Sequence, residues 1–159
     1  MGFNSKEILD IAIQVEKSGF VFYTKAADNL VEYADFFKYL ANEELGHESF
    51  FENMQKKVLS DDYKDRYWDP DSIISKYFHS MSDSAIFKKA DEIEDLYKNT
   101  HSIHDVIDWA IKREHETILF FTGLKVTFDD KKDLDLLDDI ISEEMSHVRI
   151  LMDKKSELL

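Results

Sequence analysis

The sequence contains no cysteine, only one proline and only four glycines among its 159 residues. Without cysteine it can form no disulfide, no thiolate metal site and no cysteine nucleophile. It also has no Asn-Gly or Asp-Gly pair, and its single proline is Pro70, so the usual turn signals of a sheet protein are missing. These absences favour an all-α fold.

Charge and hydropathy argue against two classes of partner, nucleic acids and membranes. The formal net charge is −14, so we expect no nucleic acid bound through phosphate contacts. No run approaches the roughly 18–20 apolar residues of a membrane span, and the N-terminus lacks a signal-peptide pattern, so we expect a cytoplasmic protein and no membrane partner. The length and the 43% apolar content suit a single domain over residues 1–159.

Apolar residues recur at alternating steps of three and four over four long segments, as in the helices of a bundle. The predicted helices cover about 5–29, 32–59, 102–128 and 131–158. Between the second and the third lies a long crossover, 60–101, whose weaker periodicity near 71–80 and 83–98 predicts one or two short extra helices. The sequence therefore predicts a four-helix bundle built from two antiparallel hairpins.

Ionisable residues interrupt each apolar stripe near the middle of its helix. The first and third helices each carry one glutamate, Glu16 and Glu114. The second and fourth carry the motif Glu-x-x-His, as Glu44/His47 and Glu144/His147. At this spacing both side chains of a pair project from one face of the helix, one turn apart. Since burying an unpaired charge is costly, such residues need a partner.

The chain also repeats itself. DIAIQVEKSGFVFY (10–23) aligns without gaps with DWAIKREHETILFF (108–121), and NEELGHESFF (42–51) aligns with SEEMSHVRIL (142–151). The alignment places the lone glutamates over each other and the two Glu-x-x-His motifs over each other, which indicates a duplicated hairpin. In each hairpin the lone glutamate and the motif are equidistant from the turn. All six side chains should therefore share one level of the bundle, roughly 20 Å from the turns.

A set of four carboxylates and two imidazoles in an apolar interior is typical of a dinuclear metal site. Two divalent cations cancel about four negative charges, and neutral imidazoles add ligands without charge. One glutamate from each of two helices and Glu-x-x-His from the other two is the arrangement of ferritin-like bundles. A single Glu-x-x-His is more often a surface pair, and a lone buried glutamate can be protonated or paired with a base. Finding both twice at matching heights favours metal, and iron, manganese or zinc would suit the ligands.

The chain resembles the ferritin-like superfamily, and most closely the rubrerythrin-type diiron proteins, over essentially its whole length. The residues that carry the resemblance are Ala12-x-x-x-Glu16 followed by Phe22-Tyr23, Glu44-x-x-His47, Ala110-x-x-x-Glu114 and Glu144-x-x-His147. It implies two metal ions, most often iron. Glu16 and Glu114 would be terminal ligands, Glu44 and Glu144 would bridge, and His47 and His147 would each cap one ion. Tyr23 would lie near the metals, hydrogen-bonded to a ligand, although packing alone would also explain it.

The resemblance implies an oxidoreductase that acts on hydrogen peroxide or dioxygen, and a homodimer. Two departures bear on this. Thr117 stands where rubrerythrins carry a second glutamate linked to peroxide reduction, and the missing cysteines exclude a rubredoxin domain, so electrons would come from a separate donor protein. The alternatives are a non-enzymatic or ferroxidase-type iron-handling protein, and a helical interaction module with vestigial carboxylates.

Two glycines lie near the middle of predicted helices, where each costs up to about 1 kcal/mol relative to alanine. They are Gly19 and Gly46. Their near-central positions suggest a close approach of helices there, or room for metal or substrate.

Overall fold

The computed structural model describes residues 5–60, 73–81, 84–99, 102–128 and 130–159. These residues form helices and short 3-10 turns without any strand, which confirms the predicted all-α fold. The helices are α1 (Ser5–Asn29), α2 (Ala34–Val58), α3 (Ile73–Ser80), α4 (Ala90–Lys98), α5 (Ile103–Leu124) and α6 (Lys131–Glu157). The predicted crossover, 60–101, contains α3 and α4, and its residues 61–72, 82–83 and 100–101 lie outside the described ranges.

The predicted helix bounds differ from the observed ones chiefly at the hairpin turns. The second helix was predicted to begin near residue 32, but Val31–Tyr33 forms a 3-10 turn before α2. The third was predicted to reach 128, whereas α5 ends at Leu124 and the 3-10 turn Lys125–Thr127 follows it. A 3-10 turn tightens the end of a helix while keeping a side-chain step close to that of the α-helix. Periodicity alone therefore does not separate the two.

The start of α6 has a clear local cause. The carboxylate of Asp130 accepts hydrogen bonds from the backbone N–H groups of Lys132 at 3.0 Å and Asp133 at 3.1 Å. These N–H groups have no partner within the helix, so an aspartate at this position stabilises its first turn.

The long helices pair as the sequence predicts. α1 packs along α2, and α5 packs along α6, each pair joined by a short turn. In the crossover, α4 lies against α1, and the 3-10 turn Ala85–Phe87 contacts both α1 and α5. No helix in the described ranges is long and apolar enough to cross a membrane.

The core of the bundle is divided into two apolar clusters. One contains Leu9, Phe51, Phe121 and Leu137, among others, and the second contains Tyr23, Phe37, Ile107 and Leu151, among others. On every long helix the ionisable residues of the repeat lie between the residues of these two clusters. The layer of glutamates and histidines is therefore enclosed by apolar side chains on both sides along the bundle axis.

Candidate metal centre

The six residues singled out in the sequence meet in this layer. Each is at most 4% exposed: Glu16, Glu44, His47, Glu114, Glu144 and His147. Their potential ligand atoms form two groups, and within each group all the atoms lie within 4.8 Å of one another. The first ligand group is Glu44, Glu114, Glu144 and His147, and the second ligand group is Glu16, His47 and Glu144. The helices thus bring all six side chains together, while their role as metal ligands stays a prediction.

Glu144 belongs to both ligand groups and lies between the two imidazoles. Its Oε1 is 2.8 Å from Nδ1 of His47, although not aligned for a hydrogen bond, and its Oε2 is 2.9 Å from Nδ1 of His147. The two rings stack with centroids 5.9 Å apart. Each oxygen of Glu144 thus faces a different histidine, as a bridging carboxylate would. Glu44 lies in the first group only, so its bridging role stays a prediction.

Several polar atoms of the layer are buried without a hydrogen-bond partner. Among the described residues they include both carboxylate oxygens of Glu16 and of Glu44, Oε2 of Glu114, Oε1 of Glu144 and Nδ1 of His47. Each such buried, unsatisfied group destabilises a fold by about 1–3 kcal/mol. Oxygen and imidazole nitrogen are donors that iron, manganese and zinc accept. The residues therefore fit a pair of divalent metal ions, which would satisfy these atoms together.

Burial shifts three of the four carboxyl groups of the layer toward their protonated forms. Burial raises the pKa of Glu16, and burial together with the charge of Glu144 raises the pKa values of Glu44 and Glu114 well above the usual range. Burial also opposes ionisation of Glu144, but contacts with both histidines outweigh it and hold its pKa below the usual range. Metal ions must therefore displace protons as they bind.

The carboxylates around His47 strongly favour the protonated form of its imidazole. Burial alone would lower its pKa, but the carboxylates of Glu144 and Glu16 outweigh burial and raise the pKa to about 12. On its outer side, Nε2 donates a hydrogen bond to Oε2 of Glu143 at 2.7 Å. Metal binding would displace the proton on Nδ1 and leave the ring neutral, with its remaining proton on Nε2 facing Glu143. The lone pair of Nδ1 would then point toward the other predicted ligands, which is the form of histidine that binds metal.

Tyr23 and Thr117 both lie beside the layer. The Tyr23 hydroxyl donates a hydrogen bond to Oε1 of Glu114, which is the kind of contact that the resemblance implies. Burial, followed by the charge of Glu114, raises the Tyr23 pKa well above its usual value, so the hydroxyl stays a donor. Thr117 is 1% exposed, and its hydroxyl donates to the backbone oxygen of Arg113 at 3.0 Å. It adds no carboxylate to the site.

Sequence reasoning missed two of the residues around the layer. Glu143 precedes the second motif, and the only available signal was the acidic pair that opens both motifs. Arg113 is 1% exposed, directly beside Glu114, and nothing in the periodicity distinguished it from a surface base. Of the two mid-helix glycines, only one shows the suggested close approach. A Cβ added at Gly46 would meet nothing within 4 Å, so the described residues make no close approach there, and room for metal or substrate at Gly46 stays a prediction.

A four-helix bundle that buries four glutamates and two histidines in one layer defines the class of ferritin-like dinuclear carboxylate proteins. The fold is similar to that of a Thermotoga maritima crystal structure described as a candidate ferritin-like diiron-carboxylate protein, with a TM-score of 0.71 and 21% identity over 99% of this chain and 98% of that one. No curated protein matches the sequence. The profile of the Rubrerythrin family matches residues 7–155, so the chain belongs to the rubrerythrin family.

Proposed function

We propose that this protein is a dinuclear-metal oxidoreductase that reduces hydrogen peroxide or dioxygen at a diiron site, in the manner of rubrerythrins. The observation that carries the proposal is the buried layer of four glutamates and two histidines, in which most of the carboxylate oxygens have no hydrogen-bond partner among the described residues. Two ferrous ions bound there would supply one electron each to a two-electron oxidant. Iron is favoured over manganese and zinc because the chain belongs to the rubrerythrin family and the Thermotoga maritima neighbour is described as a candidate diiron-carboxylate protein.

The residues of the chain would hold this chemistry in place and limit what reaches it. Four carboxylates balance the charge of two divalent ions, and Glu144 contacts both halves of the site. Glu143 orients His47 from outside, and Tyr23 holds one oxygen of Glu114. Because every predicted ligand is at most 4% exposed, only small molecules such as peroxide or dioxygen could approach without rearrangement of the helices.

The electrons for repeated turnover would come from a separate donor protein. The chain has no cysteine and thus no rubredoxin-type iron site of its own. Assembly into a homodimer, which the resemblance implies, also stays a prediction.

Anaerobic reconstitution with ferrous iron, followed by mixing with hydrogen peroxide, tests the proposal. Stopped-flow absorbance should show faster iron oxidation in the wild-type protein than in Glu44→Ala, because the variant lacks a ligand of the first group. Glu157→Gln is the matched control, since Glu157 is exposed near the end of α6 and accepts a hydrogen bond from Lys154. Equal oxidation rates in the wild type and Glu44→Ala would sink the proposal.

A second candidate function is iron handling, with ferroxidation but without sustained peroxide reduction. It is favoured by Thr117, which stands where rubrerythrins have a second glutamate and whose hydroxyl is bonded to its own helix. Two firmly held iron ions without turnover, when peroxide and a chemical reductant are both supplied, would favour this candidate. Continuous consumption of peroxide under the same conditions would favour the oxidoreductase.

A further inference from the structure

A buried positive charge lies next to the metal centre. Arg113 has the largest fully buried side chain among the described residues. Its Nη2 donates to the backbone oxygen of Val15 at 2.6 Å, and its Nη1 donates to the hydroxyl of Ser18 at 3.3 Å. Its Nε has no partner, and no described carboxylate lies at ion-pair distance from the guanidinium. The partners of Arg113 are therefore neutral, and its charge must be balanced from farther away.

The absent side chain of Gly19 leaves a space that connects Arg113 with the centre. A Cβ added at Gly19 would fall 2.8 Å from Nη2 of Arg113 and 2.6 Å from Cδ of Glu44, and nearer still to Oε2 of Glu44. The guanidinium and the Glu44 carboxylate thus face each other across bare helix backbone. They lie within about 5 Å of each other, a separation at which opposite charges interact appreciably.

We propose that Gly19 and Arg113 position the carboxylate of Glu44 and thereby set the metal affinity of the first ligand group. Both residues are positioning residues, because neither offers a ligand atom to the group itself. The inference rests on the metal site that the proposed function uses, but it does not depend on any reaction at that site.

Glu44 needs such support because neither of its carboxylate oxygens has a well-formed hydrogen bond among the described residues. When Glu44 ionises, as metal binding requires, the negative charges of Glu16, Glu114 and Glu144 would repel its carboxylate, whereas Arg113 would attract it from the side of Gly19. A glutamate side chain has several rotatable bonds, so holding it in place before metal arrives lowers the entropy lost on binding.

Titration of metal-free protein with Co²⁺, followed by calorimetry and visible absorption, tests the inference. In Gly19→Ala the new methyl group should displace the Glu44 carboxylate. The affinity for one of the two ions should then fall by about 10- to 100-fold, the usual effect of removing a residue that orients a ligand. The other ion, in the second ligand group, should bind as in the wild type. The variant should still fold, because only the mobile ends of two side chains need to move and alanine favours the helix.

Gly46→Ala is the matched control. It makes the same substitution inside α2, where the added methyl group meets nothing within 4 Å, so both affinities should stay unchanged. Arg113→Gln should lower the affinity for the same ion that Gly19→Ala affects. Arg113→Lys keeps the positive charge and should lower that affinity less than Arg113→Gln does. The inference is overturned if Gly19→Ala binds both ions as tightly as the wild type.

The arginine variants also separate positioning from a purely structural role. A lower melting temperature in Arg113→Gln with both metal affinities intact would overturn the inference, and so would an equal loss at both ions. If Gly19→Ala did not fold, the affinities of the two arginine variants would decide in the same way. A wild-type protein that binds no metal would contradict both this inference and the proposed function, whereas equal affinities in wild type and variants would contradict this inference alone.

Discussion

Replacing Glu144 by glutamine should disable both halves of the metal centre at once. Glu144 is the one residue common to the two ligand groups, and its oxygens lie 2.8 and 2.9 Å from the Nδ1 atoms of the two histidines. Glutamine keeps the size of the side chain but removes its charge and turns one oxygen into an NH₂ group, which cannot bind metal. In contrast, Glu16→Gln changes only the second ligand group and should weaken the binding of one ion.

The size of the effect can be estimated from linkage. An ion present at 100 times its dissociation constant stabilises the folded chain by about 2.7 kcal/mol. For a chain of 159 residues, each kcal/mol raises the melting temperature by about 2–4 °C. Two ions should therefore raise the wild-type melting temperature by roughly 10–20 °C. We expect Glu144→Gln to lose nearly all of this rise and Glu16→Gln to lose about half.

Circular dichroism melts with and without Co²⁺, together with elemental analysis of ions per chain, measure this prediction. Glu157→Gln serves as the control on the same helix, because Glu157 lies far along α6 from the centre and pairs with Lys154. It should keep the full metal-induced rise. A Glu144→Gln protein that still holds two ions per chain and melts as the metal-loaded wild type would refute the reasoning.

Three further predictions concern the surroundings of the ligands. Glu143→Gln removes the charged acceptor from Nε2 of His47, so the ion in the second ligand group should bind about tenfold more weakly in competition with a chelator; an unchanged affinity would contradict this. Tyr23→Phe leaves an oxygen of Glu114 without its donor and should destabilise the metal-free protein by about 1–3 kcal/mol in urea unfolding, and no loss would show that the hydrogen bond contributes nothing net. The metal-free protein should also melt at progressively lower temperature as the pH rises above the ordinary carboxyl value of 4.5. Three buried glutamates and His47 have raised pKa values, so the folded chain binds more protons than the unfolded one and loses that stabilisation with rising pH. Saturation with metal should abolish this trend, and a melting temperature that rises with pH in the metal-free protein would contradict it.

The layer of glutamates and histidines was predictable because the direction of each side chain depends only on its position within its own helix. A residue's face on a helix follows from its position in the chain, since the helical step is constant. Glu44 and His47 had to share a face, and distance from the turn placed them level with Glu16. The duplication then supplied a second copy of the same argument.

The surroundings of the layer depend on contacts between helices and were not predictable in this way. Whether Arg113 faces solvent or the core depends on how α1, α5 and the turn before α4 pack, and no periodicity records that. Gly19 and Gly46 look equivalent in the sequence, yet one faces Glu44 and Arg113 while the other faces open space. The contact between Glu143 and His47 likewise joins two helices that are remote in sequence.

The duplication preserves the ligands but not what surrounds them. In the repeat Glu16 corresponds to Glu114, whereas at the neighbouring positions Val15 corresponds to Arg113 and Gly19 corresponds to Thr117. The copy in α5 thus supplies the buried guanidinium of Arg113. The copy in α1 supplies Gly19, whose missing side chain lets that guanidinium face the first ligand group. An ion in that group would lie close to the positive charge of Arg113, and no arginine or lysine charge lies against the second ligand group among the described residues. The two predicted ligand groups therefore have unequal surroundings despite the duplication, and we expect the two ions to bind in steps of different affinity.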